Sequence, residues 1–568
     1  MSVFNLDNEK PFGSVQSVDT ASIVIRVTVP ELLSKLQVNH LIVVRSSMNG
    51  RSLIGLVTKI MRKYGDIEDI AEGEEISSSD IVKVTLIGTL IDRFGIRSNV
   101  FKRTLESVPE IDADCYIMQD EMLTSFMSVI SQEGATAQYP LCIGSYAISD
   151  EAKAWIDGNK LFQRHAVITG STGSGKSYTV AVLVEQIAAL PSSNAVVFDV
   201  HGEYSTLVHP NIKHYRVAGP SDSVGDNILF LPYWLLSYEE MLSLVLDRSD
   251  NNAPNQAMLF HRYVIEGKQK LLHKIGQDSI ADVITVDSPI PFSIGELIET
   301  LYKLDIEEVP GARVGTTKHG DYFGKLTRFV QRLDAKIKDK RLNFMFSPDE
   351  DLLTYEYLNT LCEALLLPAS NGGGVKVIDF SEVPSDILPL IISLVARLIF
   401  TVQQWTAREK IHPVVIFCDE AHLYLPQNVQ KSSDQASVDN FERIAKEGRK
   451  YGVGLVVVTQ RPSEVSRTIL SQSGNFIAMR LTNAEDQSII KKLLPDNLGN
   501  FADLLPVLDI GEALVVGDAS LLPSRIMVAE PNNKPRSDTV KFWTQWSKDS
   551  VPSTIAEAVD AMRKQAKS

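Results

Sequence analysis

The sequence predicts an α/β fold, with a parallel sheet around a phosphate-binding loop, a small β-barrel ahead of it and a helical bundle inserted into it. Three observations carry that expectation. The run GSTGSGKS at 170–177 lies between a short apolar strand and a helix. Strand-length apolar runs alternate with helix-length periodic segments around it, the pattern of βαβ units. Residues 1–150 instead carry Val- and Ile-rich runs separated by turn residues.

A chain of 568 residues exceeds what one hydrophobic core supports. The expected division is a β-barrel at 1–150, an α/β core at 151–232 and 371–530, a helical insertion at 233–370, and a C-terminal helix and tail at 531–568. Hydrophobic and charged fractions of 44% and 22% exclude wholesale disorder. A net charge of −15 argues against a protein that coats nucleic acid over its whole surface, yet leaves room for a local basic channel. Cys115, Cys142, Cys362 and Cys418 are scattered, without CxxC or metal-ligand spacing, which fits a reducing compartment. The N-terminal residues lack the basic-then-apolar order of a signal peptide. The longest apolar stretch, 388–400, contains Arg397 and falls short of the roughly 20 residues of a membrane span. A cytoplasmic protein without a membrane segment is expected.

In the barrel, residues 22–29, 40–45, 53–60 and 81–91 read as strands, with Asn49 and Gly50 as a turn. Residues 165–169 form the strand before the Gly-rich loop, 178–189 a helix, and 195–198 the next parallel strand. The alternation stops between 230 and 370. There, residues 236–246, 257–275 and 326–337 read as helices, with exposed loops at 250–254 and 309–317. It resumes with a strand at 375–380, a helix at 387–408, a strand at 414–418, a helix at 440–451 and a strand at 454–459. Residues 476–481, 512–516 and 524–528 read as edge strands, and 539–546 as a helix.

The chemistry begins at the Gly-rich loop. Gly170, Ser171, Thr172, Gly173, Ser174, Gly175, Lys176 and Ser177 match G-x-x-x-x-G-K-[ST] in the required strand-to-helix context. Glycines let backbone N–H groups curl around phosphate oxygens, and the helix N-terminus adds positive potential. Lys176 is expected to reach the β- and γ-phosphates of ATP, and Ser177 to place its hydroxyl on Mg²⁺. Tyr178, next in the helix, completes the expected nucleotide-binding set. The run VVIFCDE at 414–420 is apolar on both faces, as a central parallel strand is, and ends in two carboxylates at the ligand crevice. Asp419 is expected to hold Mg²⁺ and Glu420 to polarise the attacking water. Asp199 and Glu203 follow the next strand after the loop helix. They are candidates for positioning water or metal, or form a solvated turn. Gln460 ends another strand and is a candidate γ-phosphate sensor, or an ordinary turn residue. Residues 441–451, FERIAKEGRKY, form an amphipathic helix. Its polar side is either a solvated face or the carrier of an arginine finger, Arg449 before Arg443.

Taken together, GSTGSGKS, DVHGEY, CDEAH, the KEGRKYGVG stretch, VVVTQRPSEVSRTILSQ and the final LPSRI resemble the HerA branch of the HerA/FtsK ATPases over most of residues 150–530. The resemblance implies a RecA-like P-loop ATPase core with an N-terminal β-barrel and an inserted helical bundle. It further implies a homo-hexamer around double-stranded DNA, with ATP between neighbours. Arg449 matches the position of the family's trans arginine finger, Glu420 its catalytic glutamate and Gln460 its polar sensor. Arg164 is a further nucleotide-facing candidate, and Lys446 stands where some relatives carry an arginine. Arg461 and Arg467 are pore candidates by charge and by position after a core strand. HerA relatives work with a separate effector, a nuclease or a sirtuin-like enzyme, in DNA processing or anti-phage defence, and the barrel is its expected docking surface.

Two functions follow. The first is an ATP-hydrolysing helicase or translocase of duplex DNA acting with such an effector. The second is an ATP-regulated hexameric scaffold that activates the effector without processive translocation. A conjugation-type pump for single strands or protein is a third reading, and the absence of a membrane segment in the sequence counts against it.

Overall fold

Alternation of apolar and polar residues decides the first architecture. In Ser22–Val27 the side chains of Ile23 and Ile25 point into a core while their neighbours face outward. In the computed structural model, the described residues are all but 1–2, 5, 39, 65–77, 93–98, 131–137, 148, 311–314, 348, 430–431, 494–501, 521, 538–539, 550–553 and 565–568. The chain forms two compact units. The first comprises 1–183, 460–463 and 473–532; the second comprises 184–459, 464–472 and 533–568.

The first unit opens with the barrel. Its strands run in the order Ser22–Val27, Gly13–Asp19, Asp114–Ile117, Leu41–Arg45, Arg51–Tyr64 and Ser78–Ile91. Pairing of Ser22–Val27 with Ser78–Ile91, from Ser22 opposite Thr85 to Arg26 opposite Ile81, closes the ring. The interior is filled by Phe12, Val15, Ile42, Val44, Leu53 and Val82. A Cβ on Gly55 would lie 2.4 Å from Val84 Cγ1, so glycine lets these two strands approach.

The same unit holds a second sheet. Ala166–Thr169 pairs in parallel with Asn475–Met479, which is followed by antiparallel Glu512–Gly517, Ser524–Val528, Leu141–Tyr146 and Ser149–Ile156. Leu141–Tyr146 falls inside the stretch expected to be barrel, 1–150, yet pairs here, with Tyr146 opposite Ile526, and Ser149–Ile156 follows it. The edge of Ser524–Val528 offers them a ladder that the closed barrel does not.

The second unit is a parallel sheet in the order Ile228–Leu229, Ile212–Val217, Val375–Asp379, Ala195–Asp199, Val414–Cys418 and Val453–Thr459. Ala195–Asp199, Val414–Cys418 and Val453–Thr459 are buried throughout, as expected where helices cover both faces. The inserted segment supplies Tyr238–Val245, Ala253–Lys274, Ile294–Asp305, Thr327–Lys338 and Tyr357–Leu366. Of the loop expected at 309–317, residues 311–314 lie outside the described residues, and its flanks form the hairpin Glu308–Pro310 with Thr317–His319. The helix expected at 539–546 is Phe542–Trp546, and residue 539 lies outside the described residues.

Leu388–Trp405 is long and apolar enough by composition to cross a membrane. In this fold it is a core helix, with Leu390, Ile391, Ile392 and Leu394 fully buried. Its Arg397 donates from Nε and Nη2 to both oxygens of buried Glu240, at 2.9 and 2.7 Å. Glu240 also closes the capping box on Ser237, which fixes the start of Tyr238–Val245.

Candidate active site

In the first unit, the fully buried strand Ala166–Thr169 delivers the chain into the Gly-rich loop, and Lys176–Ala188 is the helix that leaves it. Two glycines there have left-handed backbones, Gly173 at φ 73° and Gly175 at φ 114°. A Cβ on Gly170 would meet Ser174 Oγ at 2.4 Å, so the loop closes tightly over its own floor. Ser174 is fully buried, its N–H donating to Ser171 O at 3.1 Å and its carbonyl accepting from Gly511 N at 3.0 Å. Ser171 N–H donates to Arg480 O at 2.7 Å. Among the described residues the N–H groups of Thr172, Gly173 and Gly175 have no acceptor, so the loop presents donors to an anion. Lys176 Nζ is folded back onto Ser171 O at 3.3 Å, on the rim of that cradle. Ser177 and Tyr178 lie half-buried in the first helical turn. These residues fit a nucleotide phosphate chain.

Gln460 is brought to this loop: the Thr172 hydroxyl donates to Gln460 Oε1 at 2.7 Å. Beside it, Ser463 donates from N and Oγ to one oxygen of buried Asp486, at 3.0 and 2.7 Å, which clamps the segment carrying Gln460. Asp486 drew no attention in the sequence, because a single acid inside a helix start carries no signal by itself. Arg164 pairs with Asp518, so its guanidinium is engaged within the unit.

In the second unit, the carboxyl ends of three adjacent strands each carry an aspartate: Asp379, Asp199 and Asp419, the last directly after Val414–Cys418. Asp199 is 1% exposed, and its two oxygens accept from the N–H groups of Glu203 and Tyr204 at 3.0 and 2.9 Å. It therefore fastens the turn Glu203–Thr206. Burial pushes its carboxyl up to about 6, with Asp379 opposite adding to the effect against the pull of the backbone donors. Asp379 was missed. Its signal was visible, an apolar run VKVID ending in an acid like VVFD and VVIFCD. Its Oδ1 accepts from Ser381 N at 2.8 Å.

Burial raises Asp419 well above the usual carboxylate range, and Glu420, Asp199 and Glu203 add to it. A cation beside Asp419 would favour its charged form, and carboxylate oxygens suit a hard one such as Mg²⁺, while among the described residues no three such side chains converge as metal ligands. Glu420 has a left-handed backbone, φ 44° and ψ 44°, a conformation that costs a non-glycine residue roughly 1–2 kcal/mol. Its Oε2 lies 3.2 Å from His422 Nδ1, which is 3.4 Å from Thr459 Oγ1.

The helix Ser432–Glu447 runs into the short turn Gly448–Tyr451. Arg443 lies 3.7 Å from Glu447, and Lys446 lies 3.0 Å from Glu442. Arg449 is exposed, and its guanidinium has no ion-pair or hydrogen-bond partner among the described residues.

A family model described as "Helicase HerA, central domain" matches residues 141–399, and a second, "Helicase HerA-like C-terminal", matches 389–538. The chain belongs to the HerA family. A probable helicase of Methanocaldococcus jannaschii, MJ1565, is 24% identical over 501 residues, 85% of this chain and 83% of its own length. The DNA double-strand break repair helicase HerA of Sulfolobus acidocaldarius is 27% identical over 394 residues, 68% of each chain. Among solved structures, the bacterial conjugative coupling protein TrwB aligns with a TM-score of 0.45 and 14% identity, over 72% of this chain and 93% of its own. This HerA chain is an ATP-binding P-loop helicase, with a RecA-like core, an N-terminal β-barrel and an inserted set of helices.

Proposed function

We propose that this HerA-type helicase is a homo-hexameric, ATP-hydrolysing translocase of double-stranded DNA, in which Arg449 of each copy completes the ATP site of its neighbour. The observation that carries this reading is the contrast at residues 443–449. Arg443 and Lys446 are paired within the chain, while Arg449 is exposed and without a partner among the described residues. A cation left so in the turn after a helix suits a site that another subunit supplies. The loop glycines, Thr172, Ser174, Lys176, Ser177 and Tyr178 hold the nucleotide, and Ser177 with Asp419 holds Mg²⁺. The metal, when bound, offsets phosphate charge. Glu420 orients and polarises the attacking water, Gln460 senses the terminal phosphate beside Thr172, and Asp199 holds the turn that carries Glu203. The effector is a separate nuclease or sirtuin-like enzyme docked on the N-terminal barrel, in cytoplasmic DNA processing or anti-phage defence. This part is supported by the motif resemblance.

Steady-state ATP turnover with and without duplex DNA, for wild type beside Lys176→Ala and Arg449→Ala, tests the proposal. Stimulation by duplex DNA, lost in both variants, is expected. Turnover indifferent to DNA but raised by an effector would replace the motor with a scaffold.

A further inference from the structure

We infer that Phe400 and Arg443 form a mount that positions Arg449. The inference rests on the arginine-finger reading above. Ser393, Arg397, Phe400 and Gln404 follow one another at helical spacing, so they form one stripe along Leu388–Trp405. The helix Ser432–Glu447 packs on that stripe through polar and cation–π contacts. Near its middle, Asn440 Nδ2 donates to Ser393 Oγ at 2.8 Å and to Glu240 Oε1 at 3.3 Å. One turn on, Arg443 Nη2 donates to Gln404 Oε1 at 3.2 Å, and its guanidinium carbon lies 5.3 Å from the centre of the Phe400 ring.

A further contact to that ring comes from beyond Arg449. Tyr451 meets Phe400 edge to face, 5.7 Å between centroids at 82°. The turn Gly448–Tyr451 lies outside the regular helix and ends at Gly452, whose φ is 70°. Gly448 packs against Val453 and Ile444 at its start, and on either side of Arg449 the aromatic contact after it and the cation contact before it are made to one side chain. Phe400 brackets the arginine, six positions after Arg443 and two before Tyr451. A finger acting across a subunit boundary gains from such bracketing, because an error of about 1 Å in a catalytic group can cost on the order of 100-fold in rate.

The test uses the full chain with saturating duplex DNA. Phe400→Leu removes the ring but keeps apolar bulk, and Arg443→Gln removes the cation and its reach to Gln404 but keeps a polar, uncharged side chain. Each is expected to lower kcat about tenfold with the KM for ATP within about twofold, at unchanged oligomer size by size-exclusion chromatography. Phe400→Tyr, which keeps the ring, should recover most of the turnover. The decisive comparison places Phe400→Leu and Arg443→Gln on Arg449→Lys, where each should cost less than about twofold further. Full additivity there, or KM rising in step with the fall in kcat, overturns the mount. Should Arg449→Lys alone turn over like wild type, the finger reading fails and the mount with it. That outcome is separate from an impaired Arg449→Lys with additive effects, which overturns only the mount. If Phe400→Leu changes the oligomer, the surface substitution Arg443→Gln decides on its own.

Discussion

Replacing Asp199 by asparagine separates a carboxylate that takes part in chemistry from one that fastens a turn. Both oxygens are occupied by the backbone donors of Glu203 and Tyr204, and the residue is 1% exposed. Burial lifts its carboxyl from 3.8 to about 6. Between those values the folded chain holds a proton that the unfolded chain has lost, so stability falls as pH rises from about 4 to about 6. The gap corresponds to about 3 kcal/mol of penalty on the charged form, present in full above pH 6. Asparagine carries no charge and escapes this penalty, but it offers one carbonyl oxygen where two acceptors are needed. The orphaned N–H costs roughly 1–3 kcal/mol at every pH. At pH 4.5 the wild type already carries about 1 kcal/mol of the penalty, so the variant should be less stable by up to about 2 kcal/mol there, and equal or more stable by up to about 2 kcal/mol at pH 7.5. Thermal unfolding of nucleotide-free protein in chelator, with wild type and variant compared across that pH range, reads the crossing directly. A difference that does not change with pH, or one that favours the variant at low pH, would refute the reasoning. Turnover at pH 7.5 should fall less than about tenfold; a loss comparable to that of Glu420→Gln would assign Asp199 to catalysis instead.

Glu420→Gln should keep nucleotide affinity, by fluorescent-nucleotide titration, while phosphate release drops at least about 100-fold. Equal loss of both would make Glu420 a binding residue. Gly175→Ala meets two obstacles, a φ of 114° and a Cβ only 2.7 Å from Met479 Cε. Strain of roughly 1–3 kcal/mol should weaken nucleotide binding about tenfold or more. Because the Met479 tip is flexible, adding Met479→Leu should restore only a minor part, and full restoration would show that crowding rather than the backbone decides. Arg397→Leu strands the buried Glu240 carboxylate and should destabilise the second unit by about 3–5 kcal/mol, seen as a lowered melting transition. Adding Glu240→Gln should recover most of it, and an unchanged single variant would show that Glu240 is not charged in the fold.

Much of the site was legible because its signals are local. A Gly-rich loop between strand and helix announces phosphate binding within eight residues, and VVIFCDE and VVFD announce buried strands that end in acids. The HerA motifs lie in the same short runs. Other features depend on partners far away in the chain. The Thr172 hydroxyl finds Gln460 at a separation of 288 residues, and Asp379 pairs opposite Asp199 although the whole insertion lies between them in the chain. The barrel boundary was misplaced because Leu141–Tyr146 has the composition of either sheet, and its register with Ser524–Val528 is a long-range choice.

By itself, the sequence determined the nucleotide-binding loop, the order of strands and helices around it, and membership of the HerA family, since each rests on residues close enough in the chain to constrain one another. Tertiary structure alone decided which charged groups are spent inside the protein. Arg443 and Asp199 looked as available as Arg449 and Glu420 when read as letters. Packing engages the first two, with Phe400 and Gln404 in one case and a turn's backbone in the other. It leaves Arg449 exposed and Glu420 in a strained backbone at a strand tip, because burial and pairing are properties of the folded surroundings of a side chain and not of its neighbours in sequence.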